Sequence, residues 1–141
     1  MKSIASAEVR SAGPHYRHDV QTGRHHLVAD EPASAGGQDA GPGPYDYVLA
    51  GLGACTAITL RMYAEKKGWE LGRLRVDLAL SKDREGNTHI ERMLHASAPL
   101  ADEQWERLLD IAGKTPVTQT LKSGASITTQ RAPMDTTETS A

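Results

Sequence analysis

Three observations in this chain of 141 residues predict an α+β fold. One long stretch, from Pro44 to Lys67, carries helical periodicity; short strand-like segments flank it on both sides; a second, shorter helical pattern surrounds Trp105. With 38% hydrophobic residues and no Phe, the core is expected to be modest. The chain is read as one domain over residues 1–133 with a polar tail over 134–141, and dimerisation that buries more apolar surface would supply what the core lacks.

The N-terminal third is expected to be an antiparallel meander. Residues 4–10, 15–20 and 24–30 read as short strands, separated by turns at Ala12-Gly13-Pro14 and Gln21-Thr22-Gly23. Residues 31–44, EPASAGGQDAGPGP, hold four glycines, three prolines and three alanines. Such a composition makes a loop, and its length points to function rather than mere connection.

The long helix comes next. Tyr45, Val48, Leu49 and Leu52 fall at i, i+3, i+4 and i+7, and Cys55, Ile58 or Thr59, Met62 and Tyr63 continue the stripe. Pro44 suits the first turn, where its missing N–H costs nothing, and Gly68 stands where a left-handed cap is wanted after Glu65, Lys66 and Lys67. About 24 residues at about 1.5 Å each give a rod of roughly 36 Å, the central element of a small domain. Gly51 and Gly53 lie inside it, although each costs about 0.5–1 kcal/mol relative to alanine there. Close approach of another helix or of a partner chain explains them better than a dinucleotide loop, since no strand precedes them and position 56 is threonine.

Beyond the helix, Leu74, Val76, Leu78 and Leu80 alternate with polar or small neighbours, the mark of a half-buried strand. Residues 83–87, DREGN, make the turn, and 88–98 return as its partner. The period then changes: Trp105, Leu108, Leu109 and Ala112 mark a helix over 101–113, with Gln104 able to form half of a capping box that Ala101 cannot complete. Thr115 followed by Pro116 is a helix-start signal for a short turn through Leu121. Residues 126–131 read as a final strand.

Charge and composition exclude several classes of function. A formal charge of −2, with basic residues scattered, leaves no electrostatic footprint for nucleic acid. The N-terminal residues contain no apolar signal-like run, and no segment is read as approaching the roughly 20 apolar residues of a membrane span. One cysteine forms no internal disulfide and is compatible with a reducing compartment. A cytoplasmic protein with neither nucleic-acid nor membrane partners is expected. His25 and His26 are adjacent and point to opposite faces of a strand, and His15 and His18 have no ligand partner at metal spacing, so neither metal nor cofactor is expected.

The run GPGPYDYVLAGLGACTAITLRMYAEKKGW, followed by strands and then by PLADEQWERLLDIAGKTPVTQTL, resembles the OsmC/Ohr superfamily of thiol-dependent hydroperoxide reductases and their relatives. The resemblance reaches back to ADEPASAGGQDAGP and covers most of the chain. It implies an intertwined homodimer, with long central helices between antiparallel sheets and active sites at the subunit interface. It also implies a chemistry in which the helix cysteine, here Cys55, attacks an organic hydroperoxide and becomes a sulfenic acid. A second cysteine then condenses with it, and an external thiol reduces the disulfide.

The chain departs from that pattern in one place. Where the family usually carries Cys-Pro-Val-His-Arg-Thr-Leu, residues 115–121 are TPVTQTL. Thr115 keeps the helix start but not the thiol, and Thr118 and Gln119 replace the histidine and arginine. A buried thiol without a charge partner stays protonated and is a poor nucleophile. The resemblance implies an arginine held by an acid from the segment leading into the helix. Asp46 is that acid, with Tyr45 beside it, and Arg17 is the first candidate for the arginine, ahead of Arg24 and Arg10. Tyr45, Thr115, Leu52 and Thr59 are expected to line the pocket.

Two functions follow. One is a one-cysteine hydroperoxide reductase in which an external thiol resolves Cys55. The other is a non-catalytic relative that binds an apolar small molecule or a partner at the dimer interface. Each residue also has a plainer role: a free cysteine often only packs, Asp46 favours the helix dipole, and Thr115 caps a helix.

Overall fold

The computed structural model describes residues 1–134. Its elements run β1 (Glu8–Ser11), β2 (His18–Thr22), β3 (His25–Ala29), a 3-10 turn at Ala33–Ala35, α1 (Pro44–Lys67), β4 (Leu74–Lys82), β5 (Thr88–Ala96), α2 (Asp102–Ala112) and α3 (Pro116–Ser123). Two compact units divide the chain: Met1–Tyr47 with the described residues from Thr129 onward, and Val48–Thr128. The tail expected over 134–141 lies outside the described residues apart from Met134, which is exposed.

In the first unit, β1, β2 and β3 form the antiparallel meander, with Val9 opposite Val20 and Val20 opposite Leu27. The first turn is longer than the sequence implies, and β2 begins three residues later than expected. Gly13 and His15 both take left-handed backbone angles, φ 118 and 58, and Ala12 N–H donates to the Arg17 carbonyl at 3.1 Å. Residues 15–17 therefore belong to the turn rather than to the ladder. β1 likewise shrinks to the four residues that find partners in β2.

The long loop is wired to a single carboxylate. Asp30 is buried and accepts hydrogen bonds from the N–H groups of Glu31 (2.7 Å), Gln38 (3.2 Å) and Ala40 (3.0 Å). The Ala40 N–H does most to hold this carboxyl below the usual carboxylate range, joined by the other two amides and by the charge of Arg17, against desolvation. The loop passes so close to β3 that a Cβ at Gly41 would strike the Val28 carbonyl. Only glycine fits a backbone approach of that kind.

A pH dependence follows. The folded-state pKa of Asp30 is depressed, so its contribution is present above the unfolded value of about 3.9 and is lost as pH falls through the folded value. Asp30→Asn should therefore flatten the acid limb of the stability profile. Denaturation midpoints of mutant and wild type that fall in parallel from neutral to acid pH would refute this.

The second unit holds the larger core. α1 has the 24 residues and both ends expected of it. β4 and β5 pair antiparallel along nine residues each, from Leu74 opposite Ala96 to Lys82 opposite Thr88. Leu74, Val76, Leu78 and Leu80 alternate inward as their spacing predicts. Leu60, Ala64, Leu71, Leu108 and Ala112 are buried together, with Tyr63, Trp69, Leu94, Trp105 and Ile111 packed around them. Burying each of the leucines contributes about 1.5–3 kcal/mol. α2 thus lays Trp105, Leu108, Ile111 and Ala112 on the core, while Leu109 of the expected stripe is exposed; its start carries the half capping box, Ala101 N–H donating to Gln104 Oε1 at 2.8 Å.

The buried face of α1 is not the expected stripe. It consists of Leu52, Gly53, Thr56, Leu60 and Ala64, while Val48, Ile58 and Met62 are exposed. Between Tyr47 and Leu60 the remaining positions are small or apolar, so apolar character is not confined to one stripe. By length and composition alone α1 is apolar enough to cross a membrane, which overturns the expectation that no segment comes near that length. Gly53 admits a strand rather than a second helix: a Cβ there would stand 2.7 Å from Leu78 Cδ1. At Gly51 the corresponding space is open. The strand expected over 126–131 does not form, because those exposed residues pair with no ladder.

Candidate active site

Cys55 is half-buried near the middle of α1. It lies beside Thr56, which belongs to the buried face, and on the edge of the uncovered one. Gly51, Cys55, Ile58 and Met62 follow one another at i, i+4, i+7 and i+11, so the thiol shares its side of the helix with the open glycine and two exposed apolar residues.

The charge near Cys55 comes from β5. Exposure alternates along that strand, and Ile90, Arg92 and Leu94 take the inward phase. Arg92 is therefore half-buried and directed into the unit, where its Nη1 donates to Thr56 Oγ1 at 2.9 Å and to Thr118 Oγ1 at 2.8 Å. Burial pushes the guanidinium below its ordinary range, and the negative form of Cys55 works against that shift. Arg92 thus reaches α1 at Thr56, the residue next to Cys55. The hydrogen bonds that hold Arg92 end on neutral hydroxyls.

α3 supplies the rest. Pro116 is its first residue and Thr115 its N-cap position, as expected, but the Thr115 hydroxyl makes no capping bond. It meets Thr118 Oγ1 at 2.6 Å instead. Both threonines are buried, at 1% and 4% exposure. The plain-cap role is therefore corrected: Thr115 holds the cap position, but its hydroxyl is turned to Thr118 rather than to the backbone N–H groups of the first turn.

The residues expected from sequence are distributed as follows. Cys55 and Thr115 fall in the second unit, where Thr56, Arg92 and Thr118, not singled out from sequence, join them. Leu52 is buried on α1, where its carbonyl accepts from the Thr56 hydroxyl at 2.7 Å; Thr59 is half-buried one turn beyond Cys55. Asp46 Oδ2 accepts the Gly43 N–H at 3.0 Å and so closes the start of α1, and Tyr45 is exposed. Arg17 lies near Asp30 in the first unit, with its Nε buried and unpartnered.

Arg92, Thr56 and Thr118 were missed by sequence reasoning. A signal for Arg92 was present: a cation in register with Ile90 and Leu94 breaks the apolar phase of its strand. Such a residue needs partners inside, since burying an unpaired charge is costly.

A helix carrying a lone cysteine, packed on a long antiparallel hairpin beside a second helix, defines the class of fold. The OsmC-like protein family model matches residues 36–130, and the chain belongs to that family, within the OsmC/Ohr superfamily. Among solved structures, an OsmC-like protein of Mycoplasma pneumoniae superposes with a TM-score of 0.69 at 17% identity, covering 86% of this chain and 89% of that one. An organic hydroperoxide resistance protein OsmC of Legionella pneumophila gives 0.67 at 19% identity, with 85% and 90% covered. The organic hydroperoxide resistance protein OhrB of Bacillus subtilis gives 0.60 at 21% identity, with 85% and 91% covered. At these identities the likeness is one of fold. No curated protein matches the chain.

Proposed function

We propose that this protein is a one-cysteine, thiol-dependent hydroperoxide reductase of oxidative stress defence, working as a homodimer in a reducing, cytoplasmic setting. The observation that carries the reading is Arg92, a half-buried cation whose hydrogen bonds go to the hydroxyls of Thr118 and of Thr56, the residue next to Cys55. In this reading the cation serves the reaction's nucleophile, which is the thiolate form of a cysteine. Neighbours in fold from Legionella and Bacillus are named for organic hydroperoxide resistance, which supports the substrate class.

In the proposed reaction, the Cys55 thiolate attacks the outer oxygen of an organic hydroperoxide. The O–O bond breaks, the cysteine becomes a sulfenic acid, and the alkoxide takes a proton and leaves as an alcohol. Thr115 carries no thiol to condense with it. An external thiol therefore forms a mixed disulfide with release of water, and a second thiol returns Cys55 to its reduced form while leaving as a disulfide. Arg17 is the alternative cation and Asp46 its acid; Tyr45, Leu52, Thr59 and Thr115 are the proposed pocket residues.

Purified protein should consume an organic hydroperoxide when supplied with a dithiol, and Cys55→Ser should reduce that rate to the background of the dithiol alone. With no thiol present, the wild type should trap a dimedone probe once and otherwise proceed to sulfinic acid. Equal rates for wild type and Cys55→Ser would exclude the enzyme. The second reading, a non-catalytic binder of an apolar small molecule, would then stand on the uncovered face of α1 and the thiol-free position 115.

A further inference from the structure

We propose that Thr118, with Thr115 behind it and Thr56 opposite, is a positioning residue for Arg92: three neutral hydroxyls fix the guanidinium without cancelling its charge, which is left for Cys55. This rests on Arg92 acting on the cysteine, but not on peroxide turnover.

The hydroxyl protons are accounted for. Thr56 donates to the Leu52 carbonyl at 2.7 Å, which leaves its oxygen free to accept Arg92 Nη1 at 2.9 Å. Thr118 has the Ala112 carbonyl as acceptor at 3.3 Å, so its oxygen accepts both Arg92 Nη1 at 2.8 Å and the Thr115 hydroxyl at 2.6 Å. Three segments far apart in sequence converge here: the middle of α1, β5, and the start of α3. Each hydroxyl is buried, at 0%, 1% and 4% exposure for Thr56, Thr115 and Thr118. A buried side-chain network is well determined when every member is satisfied, and this one is.

A carboxylate would hold the arginine more tightly, but it would also neutralise it. The acids that line the same cleft as Arg92, Asp77 and Glu91, are exposed and stand at outward positions of the sheet. Asp77 is engaged with His95 at 3.0 Å and Arg75 at 3.2 Å. The positions where the resemblance expects cysteine and histidine thus carry two hydroxyls that serve the arginine. Loss of the resolving thiol and support of the cation are the same pair of substitutions.

The test is the rate at which iodoacetamide alkylates Cys55, measured from neutral to strongly alkaline pH and alongside the melting temperature. Thr118→Val keeps the shape and removes the hydroxyl. It should slow alkylation at neutral pH by about three- to tenfold, with rates converging in strong alkali, because a hydrogen bond to a charged group is lost but no access is changed. Thr118→Ser should restore the wild-type profile, and Thr115→Val should fall between the two. Wild-type rates in Thr118→Val, or equal slowing at every pH, would overturn the proposal. Should that variant not fold, Thr115→Val carries the same test, and a wild-type profile there overturns it. A shifted alkylation profile in a protein that consumes no hydroperoxide would uphold the positioning role while excluding the enzyme.

Discussion

Ile58→Asp, and independently Met62→Asp, should break the proposed homodimer and leave a monomer or an unfolded chain. Both side chains are more than half exposed in the single chain, at 54% and 59%. They lie on the side of α1 that carries Cys55 and the open space at Gly51. In a dimer that covers this face, each would contribute about 1.5–3 kcal/mol of burial. A carboxylate there would lose that and add several kcal/mol of desolvation. Since both copies carry the change, the dimer dissociation constant should rise by at least about a hundredfold, equivalent to about 3 kcal/mol. Light scattering of the wild type should give twice the chain mass at micromolar concentration. A wild-type monomer, or a variant dimer as tight as the wild type, would remove the dimer from the model.

The same face explains why parts of the fold were legible in sequence and others were not. The bounds of α1 could be read from Pro44 and Gly68, since one tolerates the first turn and the other, at φ 70, ends the last. β4 could be read from its alternation. The buried side of α1 could not, because Tyr45, Val48, Ile58 and Met62 are as apolar as Leu52 and Leu60; periodicity identifies a stripe but not what covers it. Residues 126–131 failed for a related reason. A strand exists only with a ladder partner, and composition carries no information about one.

At the site, the cysteine was legible because it is single and mid-helix. Arg92 was not read as a candidate, since the meeting of β5 with α1 and α3 depends on pairs 36 and 26 residues apart. No local pattern encodes those distances. The TPVT segment was read as a helix start, which it is, but the Thr115 hydroxyl was read as a cap on the backbone. In the structure it meets Thr118, and the Thr118 hydroxyl in turn meets Arg92.

Arg92→Met should separate reactivity from stability. Removing the guanidinium takes away a partly desolvated cation whose hydrogen bonds, among the described residues, reach hydroxyls and no carboxylate, and methionine fills a similar volume with an apolar chain. Replacing a buried charge by a well-packed hydrophobe is often neutral or stabilising. The hydroxyls left behind are not orphaned: Thr56 keeps the Leu52 carbonyl, and Thr118 keeps Thr115 and the Ala112 carbonyl. The melting temperature should therefore hold or rise. The thiol should respond the other way, because the cation that favours its ionised form is gone. If that interaction resembles other charge-assisted contacts, of about 1.5–3 kcal/mol, alkylation of Cys55 at neutral pH should fall by roughly ten- to a hundredfold. Hydroperoxide consumption should fall with it. Arg17→Met is the matched control, and it should loosen the loop anchored at Asp30 while leaving the intrinsic thiol rate within about twofold, as expected when no charged partner of the thiol is removed. If Arg17→Met slows the thiol and Arg92→Met does not, the roles are reversed, and the hydroxyl network around Arg92 is a core feature with no part in the chemistry.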